Sequence, residues 1–374
     1  MIKRFLLGVL AVACVSCAET TAVKLLNADD FKAEIDGKQV SLYTLKSGDL
    51  TMQVTNFGAR VVSLWVPDKD GNHEDIVLGY NNLENYINNP GERFLGAVVG
   101  PYANRIAGGT YNIGEETYNF PQNNNGQTLH GGLKGLDMVV WDVDSVTDSA
   151  IVLSYLCPDG QDGMPGNRNI VMTYTLTPKN EFRIDYMAQT DKPTHMNISH
   201  HSFFNLKGEG NGTINDHVLY INASRTTPVD AVLIPTGEIV DVTGTPFDFR
   251  EPKAIGRDLA VENEQLTNCA GYDHNWVLDR VSANELELAA SVHEPASGRY
   301  MEVWTDQPAF QFYGGNFFDG STYGKYGKTL NYRESIVLET QKYPDTPHHA
   351  HFPPTLLNPG ETYTHVCVYK FATK

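Results

Sequence analysis

Basic residues are scarce in this chain of 374 residues: 28 Lys and Arg against 45 Asp and Glu leave a formal charge of −17. Nucleic acid and anionic membrane surfaces are bound through basic patches, so both are disfavoured as partners. A neutral or cationic ligand fits better. Cysteine is scarce as well. Of the five, Cys14 and Cys17 fall in the amino-terminal leader, and Cys157, Cys269 and Cys367 are too few and too dispersed for a disulfide framework or a cysteine-based zinc site. Stability must therefore come from burial. No apolar run approaches the roughly 20 residues of a membrane-spanning helix. Helical periodicity is nearly missing, with only Asn82 to Asn88 and Lys253 to Leu259 reading as one or two turns.

The amino terminus carries Met1-Ile2-Lys3-Arg4, an apolar run from Phe5 to Val15, and small residues at Ser16, Cys17 and Ala18, the pattern of a secretory signal peptide. Two cleavages compete. A lipoprotein cut leaves Cys17, or less favourably Cys14, acylated at a new amino terminus; an ordinary cut falls after Ala18. The first is favoured because the cysteine follows the apolar run directly. The expected organisation is a leader over 1–18, a short linker over 19–35 and one catalytic β-sandwich domain over 36–374. The protein is expected to be exported, either to a bacterial periplasm or to the cell envelope on a lipid anchor at Cys17.

From Val40 onward, short β-rich runs alternate with turn clusters: Leu50 to Thr55, Val61 to Val66, Ile151 to Leu156, Ile170 to Leu176 and Phe182 to Ala188. The last two, joined by Thr177-Pro178-Lys179-Asn180, read as a hairpin. Many strands punctuated by 33 Gly and 19 Pro predict an all-β chain folded as a large antiparallel β-sandwich with few short helices.

Within that scaffold, Asn197-Ile198-Ser199-His200-His201-Ser202-Phe203-Phe204-Asn205-Leu206 places two imidazoles side by side in a strand-like run. Neighbouring strand residues point to opposite faces, so one histidine at most lines a given cleft. Histidine exchanges protons near neutrality; a pair satisfied by hydrogen bonds in a polar sheet is the bland alternative. Gly100-Pro101-Tyr102-Ala103-Asn104-Arg105-Ile106 sets an arginine among small residues, where it either donates to ligand oxygens or packs on a turn. Leu129-His130-Gly131-Gly132 is weak alone. Gly271-Tyr272-Asp273-His274-Asn275-Trp276 puts a carboxyl between aromatics, an arrangement suited to a sugar and also to a simple Asp turn. Glu339 follows the apolar Ile336-Val337-Leu338 and shares a strand face with Gln341. Desolvation there moves its pKa toward the range of a general base, unless it is a buried salt-bridge partner.

Together these segments resemble the aldose 1-epimerase (galactose mutarotase) family, in that family's order, from Thr55-Asn56-Phe57-Gly58-Ala59 to Leu357-Asn358-Pro359-Gly360-Glu361. The resemblance implies a galactose mutarotase-like supersandwich whose concave cleft binds a free hexose and interconverts its α and β anomers. It implies His201 as general acid and Glu339 as general base. His200 stands where the family usually has asparagine, and its role is left open, with Gln341 supporting. His130 and Arg105 are expected at the ring oxygen and nearby hydroxyls, and Asp273, Asn104 and Gln307 at remote hydroxyls. The expected partner is a small aldose, with no cofactor, no protein partner and no metal at the site: the His348, His349 and His351 cluster sits in a proline-rich stretch, and no hand-type calcium loop is present, which leaves open only a structural calcium held by other carboxylates. Two other classes remain open. A non-catalytic carbohydrate-binding sandwich would not need paired Glu339 and His201, and a glycosidase would need two flanking carboxyls. A sugar phosphate is a poor match to so acidic a chain.

Overall fold

The computed structural model describes residues 21–374; the leader expected over 1–18, with Cys14 and Cys17, lies outside the described residues. Strand formation follows the alternation in the sequence. The expected hairpin forms as Arg168–Thr177 against Glu181–Thr190, ten residues each, in register from Thr177 opposite Glu181 to Arg168 opposite Thr190. Ile170, Met172, Tyr174 and Leu176 point inward and are buried. Asn180 closes the turn at φ 59°, a left-handed conformation that asparagine tolerates.

This hairpin belongs to a nine-stranded sheet. Its order is Asp142–Val146, Ala150–Cys157, Arg168–Thr177, Glu181–Thr190, Tyr363–Thr373, Arg299–Thr305, Glu287–His293, Val218–Ile221 and Lys253–Ala254, every neighbour antiparallel. A five-stranded sheet runs Val240–Asp241, Arg225–Thr227, Asp273–Val277, Ala309–Tyr313 and Val337–Gln341, and a four-stranded one runs Leu42–Ser47, Leu50–Thr55, Arg60–Pro67 and His73–Asp75. One apolar core joins Trp276, Phe310, Phe312 and Leu338 of the five-stranded sheet to Ile184, Val303 and Tyr369 of the nine-stranded one. The chain is thus the antiparallel sandwich that its composition predicts.

The five-stranded sheet has two unlike faces. His274 pairs with Phe312, Trp276 with Phe310 and Phe312 with Leu338 on the core side. One residue along, the other face carries Asn275 opposite Gln311 and Gln311 opposite Glu339. Period-two alternation therefore builds an apolar wall and a buried polar wall from the same strands.

Two expectations change and one holds. The segment 19–35 is not a free linker over its described part: Leu26 N–H donates to Gln53 Oε1 at 2.8 Å, Ala28–Phe31 forms a 3-10 turn, and Phe31 is fully buried in a second apolar cluster. Leu26, Ala33 and Ile35 pack against the same cluster, so the segment is docked along its length. Helix Leu83–Asn88 starts one residue after Asn82, which caps it by accepting from Asn85 N–H. Lys253 to Leu259 forms a short strand, Lys253–Ala254, and a 3-10 turn, Ile255–Asp258, instead of a helix. The one-turn helix Glu264–Asn268 is too short to leave a readable period. No helix among the described residues is long and apolar enough to cross a membrane.

Candidate active site

Glu339 sits at the middle of Val337–Gln341, on the polar face of the five-stranded sheet. Across from it lies the short strand Ser199–His201, which pairs with Ala97–Val99. Alternation there separates the twin histidines. His201 turns to a cavity and His200 turns to the core, where its Nε2 meets Ser202 Oγ at 2.6 Å and its Nδ1 meets Tyr174 Oη at 3.2 Å. Tyr174 Oη donates to Ala59 O at 2.7 Å, so it accepts from His200 Nδ1–H, leaving Nε2 to accept from Ser202. His200 is thereby a satisfied core residue.

The cavity holds about 170 Å³ and is lined by His201, Glu339, His130, Arg105, Asn104 and Asp273, with Glu92, Phe94, Asn124, Leu129, Tyr313 and Phe317 completing the wall. Pockets for drug-sized ligands begin at roughly 300 Å³, so this one suits a single small ring.

His201 Nε2 and Glu339 Oε1 are 3.5 Å apart, and both side chains are buried. Among the described residues, neither His201 Nδ1 nor Glu339 Oε2 has a hydrogen-bond partner. Burial acts against charge on both. It holds His201 down to about 3 and keeps Glu339 well above the usual carboxylate range, a shift that the neighbouring Asp273 reinforces and Arg105 opposes. Burial thus favours the uncharged form of each group, and the separation alone does not make the two an ion pair.

His130 is fixed differently. Asn104 N–H donates to its Nδ1 at 3.1 Å, and His130 N–H donates back to Asn104 O at 3.1 Å. A backbone amide can only donate, so Nδ1 is an acceptor and the ring proton resides on Nε2. Burial and the neighbouring His201 push its pKa down, which keeps the ring neutral. Asn104 and His130 both hold positive φ, 63° and 51°, and the turn after His130 requires glycine: a Cβ on Gly131, at φ 87°, would stand 2.0 Å from Gly100 O. Phe94 packs against both imidazoles, its ring centroid 4.6 Å from that of His130 and 5.7 Å from that of His201. Arg105 Nε donates to Asn124 Oδ1 at 3.3 Å. Burial raises the Asp273 carboxyl, opposed by Arg105 and by the Gln311 amide.

Gln307 is corrected. It lies outside this cavity, donating through Nε2 to Asp306 Oδ1 at 2.8 Å and facing a separate hollow with Lys342 and Thr364. It precedes the strand Ala309–Tyr313 and never reaches the polar wall. The glutamine that does is Gln311, whose Nε2 donates to Asp273 Oδ1 at 2.7 Å. A polar residue alternating with Phe310 and Phe312 was its signal. Gln341 shares the Glu339 face but bonds Asn275 Oδ1 at 3.2 Å instead of lining the cavity. Phe94 and Glu92 come from an irregular loop and leave no periodic trace.

Donor atoms of His130, His201 and Glu339 lie within 4.8 Å of one another. Tetrahedral zinc with ligands at about 2.0 Å sets its donors about 3.3 Å apart, so these three could hold an ion only by closing on it. Two of the later histidines are engaged elsewhere: His348 Nδ1 with Asp345 Oδ1 at 2.7 Å and His351 Nε2 with Gly237 O at 2.8 Å.

Neutral donors and acceptors, a rigid carboxyl and aromatic faces around a one-ring space define a sugar-handling β-sandwich with a proton-transfer pair. The aldose 1-epimerase family model matches residues 41–370. The chain is 41% identical to galactose mutarotase of Bos taurus over 333 residues, 89% of this chain and 94% of that protein. It is 33% identical to aldose 1-epimerase of Escherichia coli (strain K12), over 90% of this chain and 96% of that one. Among solved structures, it superimposes on an aldose epimerase homologue from C. elegans with a TM-score of 0.82 at 28% identity, covering 89% and 99% of the two chains. This chain belongs to the aldose 1-epimerase family.

Proposed function

We propose that this protein interconverts the α and β anomers of free aldohexoses such as glucose and galactose, with Glu339 as base and His201 as acid. The observation that carries the reading is the His201 to Glu339 juxtaposition, 3.5 Å and buried, on the wall of a one-ring cavity. In ring opening, Glu339 takes the proton of the anomeric hydroxyl, the electrons of that O–H bond form the C1 carbonyl, and the bond from C1 to the ring oxygen breaks. The ring oxygen keeps that bond's electron pair and takes a proton from His201. Rotation about the C1–C2 bond and the reverse transfers give the other anomer. Opening starts from carboxylate and imidazolium; it ends at acid and neutral imidazole, the state that burial favours. Closure uses that state directly. His130 Nε2–H and Arg105 donate to sugar oxygens, and Asp273, held by Gln311, accepts from remote hydroxyls. Each well-placed acid or base contributes about 10²- to 10⁴-fold. All atoms and electrons balance without an external oxidant or reductant.

Polarimetry or NMR exchange with α-glucose, α-galactose and a pentose tests this. Exchange well above the spontaneous rate is expected. Sugar binding without exchange would instead leave a carbohydrate-binding sandwich, and release of an aglycone from a glycoside would point to a glycosidase.

We further propose export through the leader, with Cys17 acylated and the protein held at the envelope. The leader's basic start, apolar run and adjoining cysteine support it. Mass spectrometry of the mature amino terminus should find a lipid on Cys17; an unmodified chain beginning at Glu19 would overturn it.

A further inference from the structure

Glu92 is a cavity-lining carboxyl that the reaction above does not use. It lies on the loop before Ala97–Val99, partly exposed, and its backbone is held rigidly. Glu92 N–H donates to Tyr80 Oη at 3.0 Å, and Tyr80 Oη donates to Glu92 O at 3.2 Å, with Tyr80 itself fully buried. One side-chain oxygen, Oε1, accepts from Phe94 N–H at 2.9 Å. That bond aligns the carboxyl beside the ring that packs on both cavity imidazoles.

The other oxygen, Oε2, has no partner among the described residues. The nearby cations are committed elsewhere. Arg93 grips Asp137 with two bonds, 2.7 and 2.9 Å, and Arg60 donates to the carbonyls of Arg93, Leu95 and Asp137 at 2.8 to 3.0 Å. Carboxyls withdrawn from bulk water are ordinarily paired. Glu92 is withdrawn enough for burial to push it up to about 7, yet it has no ion pair. Asp273 and Glu92 stand on different elements, one on the sheet and one on the loop, so a ring bound over Glu339 is offered an acceptor from each.

We propose that Glu92 is a further substrate-binding residue, its Oε2 accepting a hydrogen bond from a sugar hydroxyl on the Phe94 side of the cavity and so selecting among aldoses. This rests on the mutarotase reading of the same cavity. Loss of a hydrogen bond to this carboxyl in its ionised form, which prevails above about pH 7, corresponds to about 10- to 100-fold, and it should fall on binding, because the hydroxyl contacted takes no part in ring opening.

The test is anomer exchange by NMR with Glu92→Gln and Glu92→Ala, using glucose, galactose and their singly deoxygenated analogues. Gln keeps an oxygen for Phe94 N–H; Ala removes both contacts. Wild-type protein exchanging glucose or galactose confirms the underlying reading independently of either variant, and wild-type inactivity with every aldose would overturn that reading and the proposal with it. With active wild type, KM should rise about 10-fold or more in both variants while kcat stays within about threefold. One deoxy sugar, lacking the contacted hydroxyl, should bind wild type and variants alike. Unchanged KM for every sugar, or a fall in kcat at unchanged KM, would overturn the proposal.

Discussion

Gln311 stands directly opposite Glu339 across paired strands and donates to Asp273 at 2.7 Å. One amide thus ties the cavity-lining carboxyl of Asp273 to the strand beside Glu339. Replacing Gln311 with Leu leaves Asp273 unpartnered and raises its pKa further, since the amide is one of the two groups holding it down. Sugar affinity should drop about 10-fold, measured as KM in an exchange assay, with the fold unchanged by circular dichroism.

Glu339→Gln separates proton transfer from binding. The amide fills the same volume but cannot take the anomeric proton, so kcat should fall by about 10²- to 10⁴-fold while calorimetry still detects the sugar. Near-normal exchange in this variant would remove Glu339 from its role.

His200 faces the core and its pKa is held down to about 3 by burial, with His201 adding to the effect. A histidine depressed in the folded state contributes stability above its unfolded pKa of about 6.5, and that stability is lost as pH falls toward the folded value, because the unfolded chain takes up the proton first. His200→Asn removes this one dependence. Compared with wild type, the variant should gain about 2 kcal/mol in relative stability between pH 7 and pH 5, measured by urea unfolding, with kcat within a few-fold at pH 7.

Lys325 is fully buried between Asp75, at 2.6 Å, and Glu209, at 3.2 Å, and also donates to Val62 O and Val77 O. Lys325→Met strands two buried carboxyls, which should cost about 3 to 5 kcal/mol. Thermal unfolding reads the loss, and activity below the new transition should be retained because none of Lys325, Asp75 and Glu209 lines the cavity.

Much of the site was legible because its residues sit in short contiguous runs. His130 with two glycines, Arg105 after Asn104, Asp273 amid aromatics and Glu339 ending an apolar run all reach one cavity. Strand alternation also foretold that His200 and His201 would part. What failed was placement beyond a run. Gln307 is the glutamine expected at the sugar, but Gln311, which lies within the alternating strand Ala309–Tyr313, is the one on the polar wall. Glu92 and Phe94 occupy an irregular loop, where no period announces which way a side chain turns. Leu26, Phe31, Ala33 and Ile35 dock the amino-terminal segment, and no single strand or helix period runs through all four.

The amide of Asn104 occupies one nitrogen of His130 and keeps that ring from exchanging a proton there. In the proposed reaction His201 and Glu339 trade one, and each passage of a sugar returns them to the state in which it found them. Such a device has no direction. It hastens the approach to the anomeric equilibrium from either side and cannot alter where that equilibrium lies, so any net flow through this protein is set by whichever neighbouring step removes one anomer.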